Sequence, residues 1–162
     1  MNKKWLQEEE KEQRKKLEEQ RKEEEGDAWN KGIYSLVIKF DRDNSIAVGN
    51  LGPVEFPKGY YVYTGSALNY LDKRILRHLK KEKKLHWHID YFLKHAKIIK
   101  VFTYITTLKL ECELNKRIQM LSNARIIIKG FGCSDCKCSS HLTFFGNNDP
   151  SRNIEKIILS TR

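Results

Sequence analysis

Apolar residues crowd one short segment after residue 31 and then recur in alternation, which predicts the start of a β-sheet. The crowded segment reads as a strand buried on both faces, and its large apolar residues are Ile33, Tyr34, Leu36, Val37, Ile38 and Phe40. After a turn at residues 41–44, Ile46 and Val48 alternate with polar neighbours and predict a return strand. A third strand at residues 60–63 stops at Gly65, and residues 49–59 between them read as irregular. Together these strands predict an antiparallel sheet.

Spacings of three and four between apolar residues predict helices farther along the chain, as in the stripe of Leu68, Leu71, Ile75 and Leu79. The remaining predicted elements are helices over residues 69–81 and 88–95, a strand over 98–106, a helix over about 110–121, short strands over 126–128 and 142–145, and a helix from Ser151. Because strands come first and helices mostly follow, we expect an α+β fold with a small antiparallel or mixed central sheet flanked by helices.

Residues 1–27 differ from the rest and predict a charged helical extension that precedes a domain over residues 28–162. Large apolar residues are few there and do not recur at heptad spacing, which disfavours a coiled coil. Acidic residues precede basic ones by four positions, which supports a lone helix that Gly26 ends; the pairs are Glu10–Arg14, Glu12–Lys16 and Glu18–Lys22. The extension is either a tether or contact arm, or a solvated segment without a specific task.

The charge of the chain is concentrated in the predicted domain. Residues 1–27 carry eight Lys or Arg and ten Asp or Glu, so residues 28–162 carry 23 basic against 11 acidic residues. A basic domain favours a polyanionic partner, because each neutralised phosphate releases condensed counterions. A lysine-rich solvated surface is the alternative.

The sequence predicts neither a membrane partner nor secretion. The longest stretch without a formal charge, residues 59–71, has 13 residues, whereas a spanning helix needs about 20 apolar ones. The first 27 residues lack an apolar core next to a basic start, so no secretory signal is predicted. Four cysteines, three of them between residues 133 and 138, do not form a spread disulfide framework. We expect a cytoplasmic protein.

Two tyrosine motifs and the residues that follow them resemble a known family. Residues 32–34 read Gly-Ile-Tyr, residues 63–65 read Tyr-Thr-Gly, and Arg74, His78 and a later helical Glu follow in order. This ordered set resembles the GIY-YIG nucleases over residues 32–146. The segments HWHID at residues 86–90 and GFGCSDCKCSSHL at residues 130–142 further resemble a little-characterised branch of that family. Three features depart from the usual pattern: Thr64 replaces Ile, the gap between the motifs is long, and the late Asn lacks a clear counterpart.

The resemblance implies roles for five residues in phosphodiester hydrolysis. Tyr34 would be the general base and Tyr63 its hydroxyl partner, while Arg74 would clamp the phosphate. His78 would orient a tyrosine hydroxyl or donate to phosphate, and Glu111 would hold Mg²⁺ or another divalent cation. The alternatives are ordinary ones: two aromatic residues of a sheet and a hydrogen-bonded histidine at a helix boundary.

Helical geometry selects among neighbouring candidates. Arg74 and His78 lie four apart on one face beside the apolar stripe, whereas Arg77 points away as a solvated or phosphate-contacting charge. At 100° per residue, Glu111 lies about 65° from the centre of the next apolar stripe and Glu113 about 95° away on the other side. Glu111 is therefore preferred as the metal ligand by a small margin.

Two further clusters contain potential metal ligands. Cys133, Cys136, Cys138 and His141 lie within nine residues and suggest Zn²⁺, yet zinc sites usually draw pairs from separated segments. The single residue between Cys136 and Cys138 would also direct the two thiols to opposite sides of an extended chain. Reduced thiols in a tight loop are the alternative.

The segment with His86, His88 and Asp90 suggests a second metal cluster. Asp90 could instead complement the dipole of a helix N-terminus, and Trp87 could stack on bases or face the core. The resemblance to GIY-YIG nucleases implies a metal-dependent endonuclease acting on nucleic acid, DNA more than RNA. The alternative is a module that binds nucleic acid on the same scaffold without cutting it.

Overall fold

The structure is a computed structural model that describes residues 11–16 and 30–161 of the chain. Residues 11–16 are helical, and the Lys16 Nζ lies 3.2 Å from the Glu12 Oε1 on that helix. A short charged helix therefore precedes the domain, as predicted. The other two predicted ion pairs and the predicted end at Gly26 lie outside the described residues.

Strands come first and helices cover them later, so the predicted α+β fold is confirmed. The elements are, in chain order, β1 Gly32–Phe40, β2 Asn44–Ala47, a 3-10 helix Gly49–Leu51, β3 Pro53–Phe56, β4 Gly59–Ala67, α1 Leu71–Leu79, α2 His88–Leu93, β5 Lys97–Ile105, α3 Glu111–Gln119, β6 Leu142–Phe144 and α4 Ser151–Leu159. In the described part of the chain, no helix has the length and apolarity that a membrane span requires.

The central sheet has four antiparallel strands in the order β5-β1-β4-β6. Strand β1 lies inside the sheet, and every residue of it except Lys39 is buried. Alternate side chains of a strand point to opposite faces, which is why this strand is apolar at nearly every position. The predicted strand buried on both faces is confirmed.

Each face of the sheet carries its own apolar core. Tyr34, Leu36, Ile38 and Phe40 point to one face and pack with residues of α1, α2 and the β2–β3 hairpin. Ile33 and Val37 point to the other face, against residues of α3 and α4 such as Leu114 and Ile154. The candidate site develops on the first face, where the two tyrosine motifs pair.

The predicted pairing of the second strand with the first is wrong. Within the described ranges, strand β2 pairs only with β3, as a separate two-stranded sheet, because both edges of β1 are taken by β4 and β5. Residues 49–59 are also more regular than predicted, since they contain the 3-10 helix and β3. Pro53 did not signal a strand, but proline is tolerated at the first position of an edge strand.

Two other predicted elements differ from the structure. Residues 126–128 do not form a strand, and the only bridge nearby in the described residues joins Arg125 to Phe144. Helix α1 is shorter than predicted because Tyr70, just before it, has a left-handed backbone with φ of 56°. Leu68 therefore precedes the helix and is 67% exposed.

Candidate active site and metal-binding cluster

A pocket of about 250 Å³ opens where β1, β4, α1, α3 and the loop after residue 130 meet. Four of the five sequence-predicted catalytic residues line it, namely Tyr34, Tyr63, Arg74 and Glu111, and the fifth, His78, lies directly behind Tyr34. The other lining residues are Gly65, Ser66, His86, Trp87, His88, Gly132, Ser134 and Asp135. The structure thus brings the predicted set together from four separate elements.

The register of β1 against β4 explains the two tyrosine motifs. Tyr34 lies opposite Gly65 and Leu36 opposite Tyr63, so both phenol rings point to the same face with centroids 6.4 Å apart. A Cβ atom on Gly65 would collide with the ring and hydroxyl of Tyr34. Because the glycine of the second motif has no side chain, the tyrosine ring of the first motif can pack directly against it.

His78 projects from α1 toward Tyr34 and is itself buried. Its Nε2 lies 2.7 Å from the Tyr34 hydroxyl, and its Nδ1 has no hydrogen-bond partner among the described residues. Burial, aided by the Lys83 ammonium, lowers the pKa of His78 to about 3. The imidazole is therefore neutral at physiological pH and holds the phenol by an uncharged hydrogen bond.

The two phenols are protonated in the resting pocket. Burial raises the pKa of Tyr34 well above its ordinary value, and Tyr63 and Glu111 add to this while the Arg74 guanidinium opposes it. Burial and the Glu111 carboxylate likewise raise the pKa of Tyr63. The positive charge of Arg74 thus lowers the pKa of both phenols and favours their ionised form.

Arg74 is held at the pocket from two sides. Its Nη1 donates to the Ser66 carbonyl at 2.8 Å, and its guanidinium lies 4.8 Å from the centre of the Trp87 ring. The remaining N–H groups of such a planar fork suit two oxygens of a phosphate. Trp87 thus supports an arginine, which neither of its two predicted roles included.

Arg77 does not have either role that the sequence suggested for it. Its Nη1 and Nη2 donate to Asp90 Oδ1 and Oδ2 at 2.7 and 2.8 Å. Its guanidinium also lies over the Trp87 ring, 4.3 Å from the ring centre. Asp90 also accepts the backbone N–H groups of His86 and Trp87. The carboxylate caps α2 and pairs with Arg77, so it is not a metal ligand together with His86 and His88.

Glu111 is the first residue of α3 and points into the pocket, whereas Glu113 is exposed. The Ser66 hydroxyl donates to its Oε2, and His141 Nδ1 lies 3.0 Å from its Oε1. Burial alone would raise the pKa of Glu111, but the hydrogen bonds from His141 and Ser66 outweigh it and hold the pKa below its ordinary value. The group is a carboxylate at neutral pH.

Behind Glu111 lies a second cluster of potential ligands: Cys112, Cys136, Cys138 and His141. Their ligand atoms all lie within 4.8 Å of one another, so the cluster could hold a metal ion. Cys133 is not a member, and the prediction that included it is wrong at that position. Cys112, the residue after Glu111 on α3, takes its place.

The geometric objection to a metal at this cluster does not hold in the folded chain. Residues 134–137 turn and bend instead of extending, so the thiols of Cys136 and Cys138 reach the same side. Cys112 is a potential ligand from a separated segment, which the sequence cluster lacked. The position of Cys112 directly after Glu111 was the sequence signal that could have identified it. No sequence signal pointed to Ser66, whose hydroxyl donates to Glu111.

No curated protein and no solved structure matches the chain. One family model matches residues 33–162, which spans nearly the whole described domain and includes the pocket and the Cys/His cluster. Its description is a domain of unknown function, DUF123. The chain therefore belongs to the DUF123 family.

Proposed function

We propose that this protein is a metal-dependent endonuclease that hydrolyses DNA phosphodiester bonds in the pocket. The observation that carries the proposal is that Glu111 shares this pocket with Tyr34, Tyr63 and Arg74. A carboxylate, two phenols and an arginine in one pocket supply a cation ligand, a candidate base and a phosphate clamp. The GIY-YIG resemblance implies the same roles, and the basic domain suits a polyanionic substrate.

The oxygen donors beside Arg74 fit a magnesium ion. Glu111 is ionised, and its side chain is 28% exposed at the pocket. Among the described residues, each of its oxygens has one hydrogen-bond partner, Ser66 or His141, which leaves lone pairs for a cation. Magnesium binds through one or two carboxylates, keeps several waters and takes the rest of its ligands from substrate phosphate. When bound, it would neutralise charge on the phosphate and on the departing oxygen.

Tyr34 is the residue best placed to take the proton of an attacking water. When His78 Nε2 carries no proton, the Tyr34 hydroxyl donates to it across their 2.7 Å contact, and the phenol oxygen turns its lone pairs to the pocket. The water proton then goes to Tyr34 as the phenol proton goes to His78. Burial works against this transfer in the resting protein, because it disfavours a phenolate at Tyr34 and a charged imidazolium at His78.

Arg74 would bind the phosphate and keep it in line. Its contacts with the Ser66 carbonyl and the Trp87 ring fix the guanidinium before substrate arrives, and a pre-positioned donor costs no reorganisation during the reaction.

A nuclease acting on cellular DNA works inside the cell, which is also where the four free thiols of this chain stay reduced.

The test uses the full chain and two isosteric variants of neighbouring glutamates. Plasmid, branched DNA and RNA are incubated with magnesium and with wild-type protein, Glu111→Gln or Glu113→Gln, and a chelator serves as a further control. We expect wild type and Glu113→Gln to nick DNA, and Glu111→Gln to be slower by at least about 100-fold. Cutting that survives Glu111→Gln and the chelator would refute the metal assignment.

Binding to the same DNA, measured by anisotropy, separates the proposal from its rival. A protein that binds DNA tightly but cuts none of the substrates is a non-catalytic nucleic-acid-binding module. Cutting of the RNA at least as fast as the DNA would contradict DNA as the preferred substrate. Both outcomes would overturn the proposal as stated.

A further inference from the structure

We infer that Cys112, Cys136, Cys138 and His141 bind one zinc ion, and that His141 links this zinc to Glu111 and so fixes the carboxylate at the pocket. The zinc site itself does not depend on the nuclease proposal. Only the role of Glu111 as a cation ligand rests on it.

The positions of the four ligand atoms fit a tetrahedral site. Cys136 Sγ lies 3.3 Å from His141 Nε2, and all four atoms lie within 4.8 Å of one another. With bonds of about 2.3 Å to sulfur and about 2.0 Å to nitrogen, a tetrahedron needs ligand separations of roughly 3.5–3.8 Å. Small side-chain rotations therefore close the site around an ion.

The chemistry of these ligands selects zinc. Three thiols and an imidazole are soft or borderline ligands, which suit zinc and not magnesium or calcium. Four protein ligands leave no open position for water or substrate, as in structural zinc sites. Such a site stabilises the fold where α3 meets the cysteine loop.

The helix and the loop that carry the ligands are held together by other contacts as well. Asn115 Nδ2 and Gln119 Nε2, both on α3, donate to the Ser140 carbonyl at 2.8 and 2.9 Å. Cys112 lies on the same helix, and His141 follows Ser140 directly. These hydrogen bonds therefore join the two ligand-bearing segments through groups other than the proposed ligands.

His141 has one ring nitrogen toward each centre. Its Nε2 points to the cysteine cluster, while its Nδ1 lies 3.0 Å from Glu111 Oε1 and 3.0 Å from the Thr64 carbonyl. A metal on Nε2 leaves the ring proton on Nδ1, and that N–H then donates to the carboxylate. Zinc thereby sets the direction of the Glu111 hydrogen bond from behind the pocket.

The first measurement is metal content, by elemental analysis of full-length protein purified without a metal-affinity tag and reloaded with zinc. We expect one zinc per chain in wild type and in Cys133→Ser, and loss of zinc in Cys112→Ser and Cys136→Ser. Cobalt replacement in wild type should give the absorption of a tetrahedral thiolate site, which keeps the test valid if a variant misfolds. A chain without bound zinc, or loss in Cys133→Ser alone, overturns the inference.

The second measurement tests the link through His141. Zinc affinity is measured by competition with a chromophoric chelator for Glu111→Gln and for Glu113→Gln. A carboxylate that supports a metal-bound histidine typically contributes about 10- to 100-fold to affinity, so Glu111→Gln should weaken zinc binding by that factor and Glu113→Gln should not. Equal affinities in the two variants would refute the link.

The two proposals fail in distinguishable ways. A protein that holds one zinc on these four residues but never cuts DNA contradicts the nuclease proposal and leaves the zinc site standing. A protein that cuts DNA with magnesium at full rate while containing no zinc contradicts the present inference and leaves the nuclease proposal standing.

Discussion

Two buried histidines border the pocket, and their surroundings shift their pKa values in opposite directions. His78 is 2% exposed and His141 is 1% exposed, so burial disfavours the protonated form of both. At His78 nothing outweighs burial, and its pKa falls to about 3. At His141 burial also lowers the pKa, but hydrogen bonds with the Glu111 carboxylate and the Thr64 carbonyl raise it to about 9. The hydrogen-bond partners, and not the depth of burial, decide the direction in which the pKa shifts.

This contrast divides the pocket into two sides. The aromatic side consists of Tyr34, Tyr63, His78 and Trp87 and is held by ring packing and one uncharged hydrogen bond. The polar side consists of Ser66, Glu111, His141 and the cysteines of the cluster. Arg74 lies between them, on the Trp87 ring and the Ser66 carbonyl. A phosphate in the pocket would therefore lie between the uncharged aromatic side and the polar side that contains the Glu111 carboxylate.

The largest effect is expected from removing the hydroxyl at the centre of the aromatic side. Tyr34→Phe keeps the buried ring but removes the candidate base, so we expect cutting to slow by about 1,000-fold, within the usual range for general base catalysis. Tyr61→Phe is the matched control, since Tyr61 is also buried and its hydroxyl donates to the Pro57 carbonyl, outside the pocket. Single-turnover rates on DNA measure both variants.

A similar loss of rate in Tyr61→Phe would mean that the aromatic side acts through packing alone. Thermal unfolding of both variants accompanies the rates. Each loses one hydrogen bond, which is worth about 1 kcal/mol, so their melting temperatures should fall by similar amounts while their rates diverge.

The next largest effect concerns the ion pair between Arg77 and Asp90, beside Trp87. Asp90 is fully buried and Arg77 partly so, and Asp90→Ala would remove the carboxylate that also caps α2. We expect the free energy of unfolding to fall by about 3 kcal/mol, as for other broken buried pairs. Urea unfolding monitored by tryptophan fluorescence measures it.

The exposed pair Glu12–Lys16 provides the contrast. Both side chains are about 70% exposed, so Glu12→Ala should change the free energy of unfolding by at most about 0.5 kcal/mol. Comparable losses in the two variants would show that Asp90 is not the support of Trp87 that its contacts indicate.

Local patterns predicted the elements of this fold well, and non-local contacts explain what they missed. The continuous apolar run of β1 predicted burial on both faces, because side-chain alternation is a local property. The choice of β4 and β5 as its partners depended on which strands complete both cores, so the return strand was paired wrongly. Pairing between distant segments has no signature in either segment alone.

The candidate site shows the same division. Helical geometry was enough to prefer Glu111 over Glu113, and the structure turns the first inward and leaves the second exposed. Cys112 was missed because its partners lie more than twenty residues later and only the packing of α3 on the loop unites them. Arg77 was judged by its direction on the helix, and that judgement did not include the buried carboxylate from α2.

The smallest effect is the contribution of His78 to the pH dependence of stability. Its pKa is about 3 in the folded protein and about 6.5 when unfolded, so between these values only the unfolded chain binds the proton. The free energy of unfolding therefore falls as the pH falls below 6.5, by up to about 1.4 kcal/mol per pH unit from His78. Urea unfolding at pH 6.5, 6 and 5 should show this slope, and His78→Gln should reduce it by nearly that amount. If His78→Gln retains the full slope, the aromatic side does not hold a neutral histidine, and the contrast with His141 is wrong.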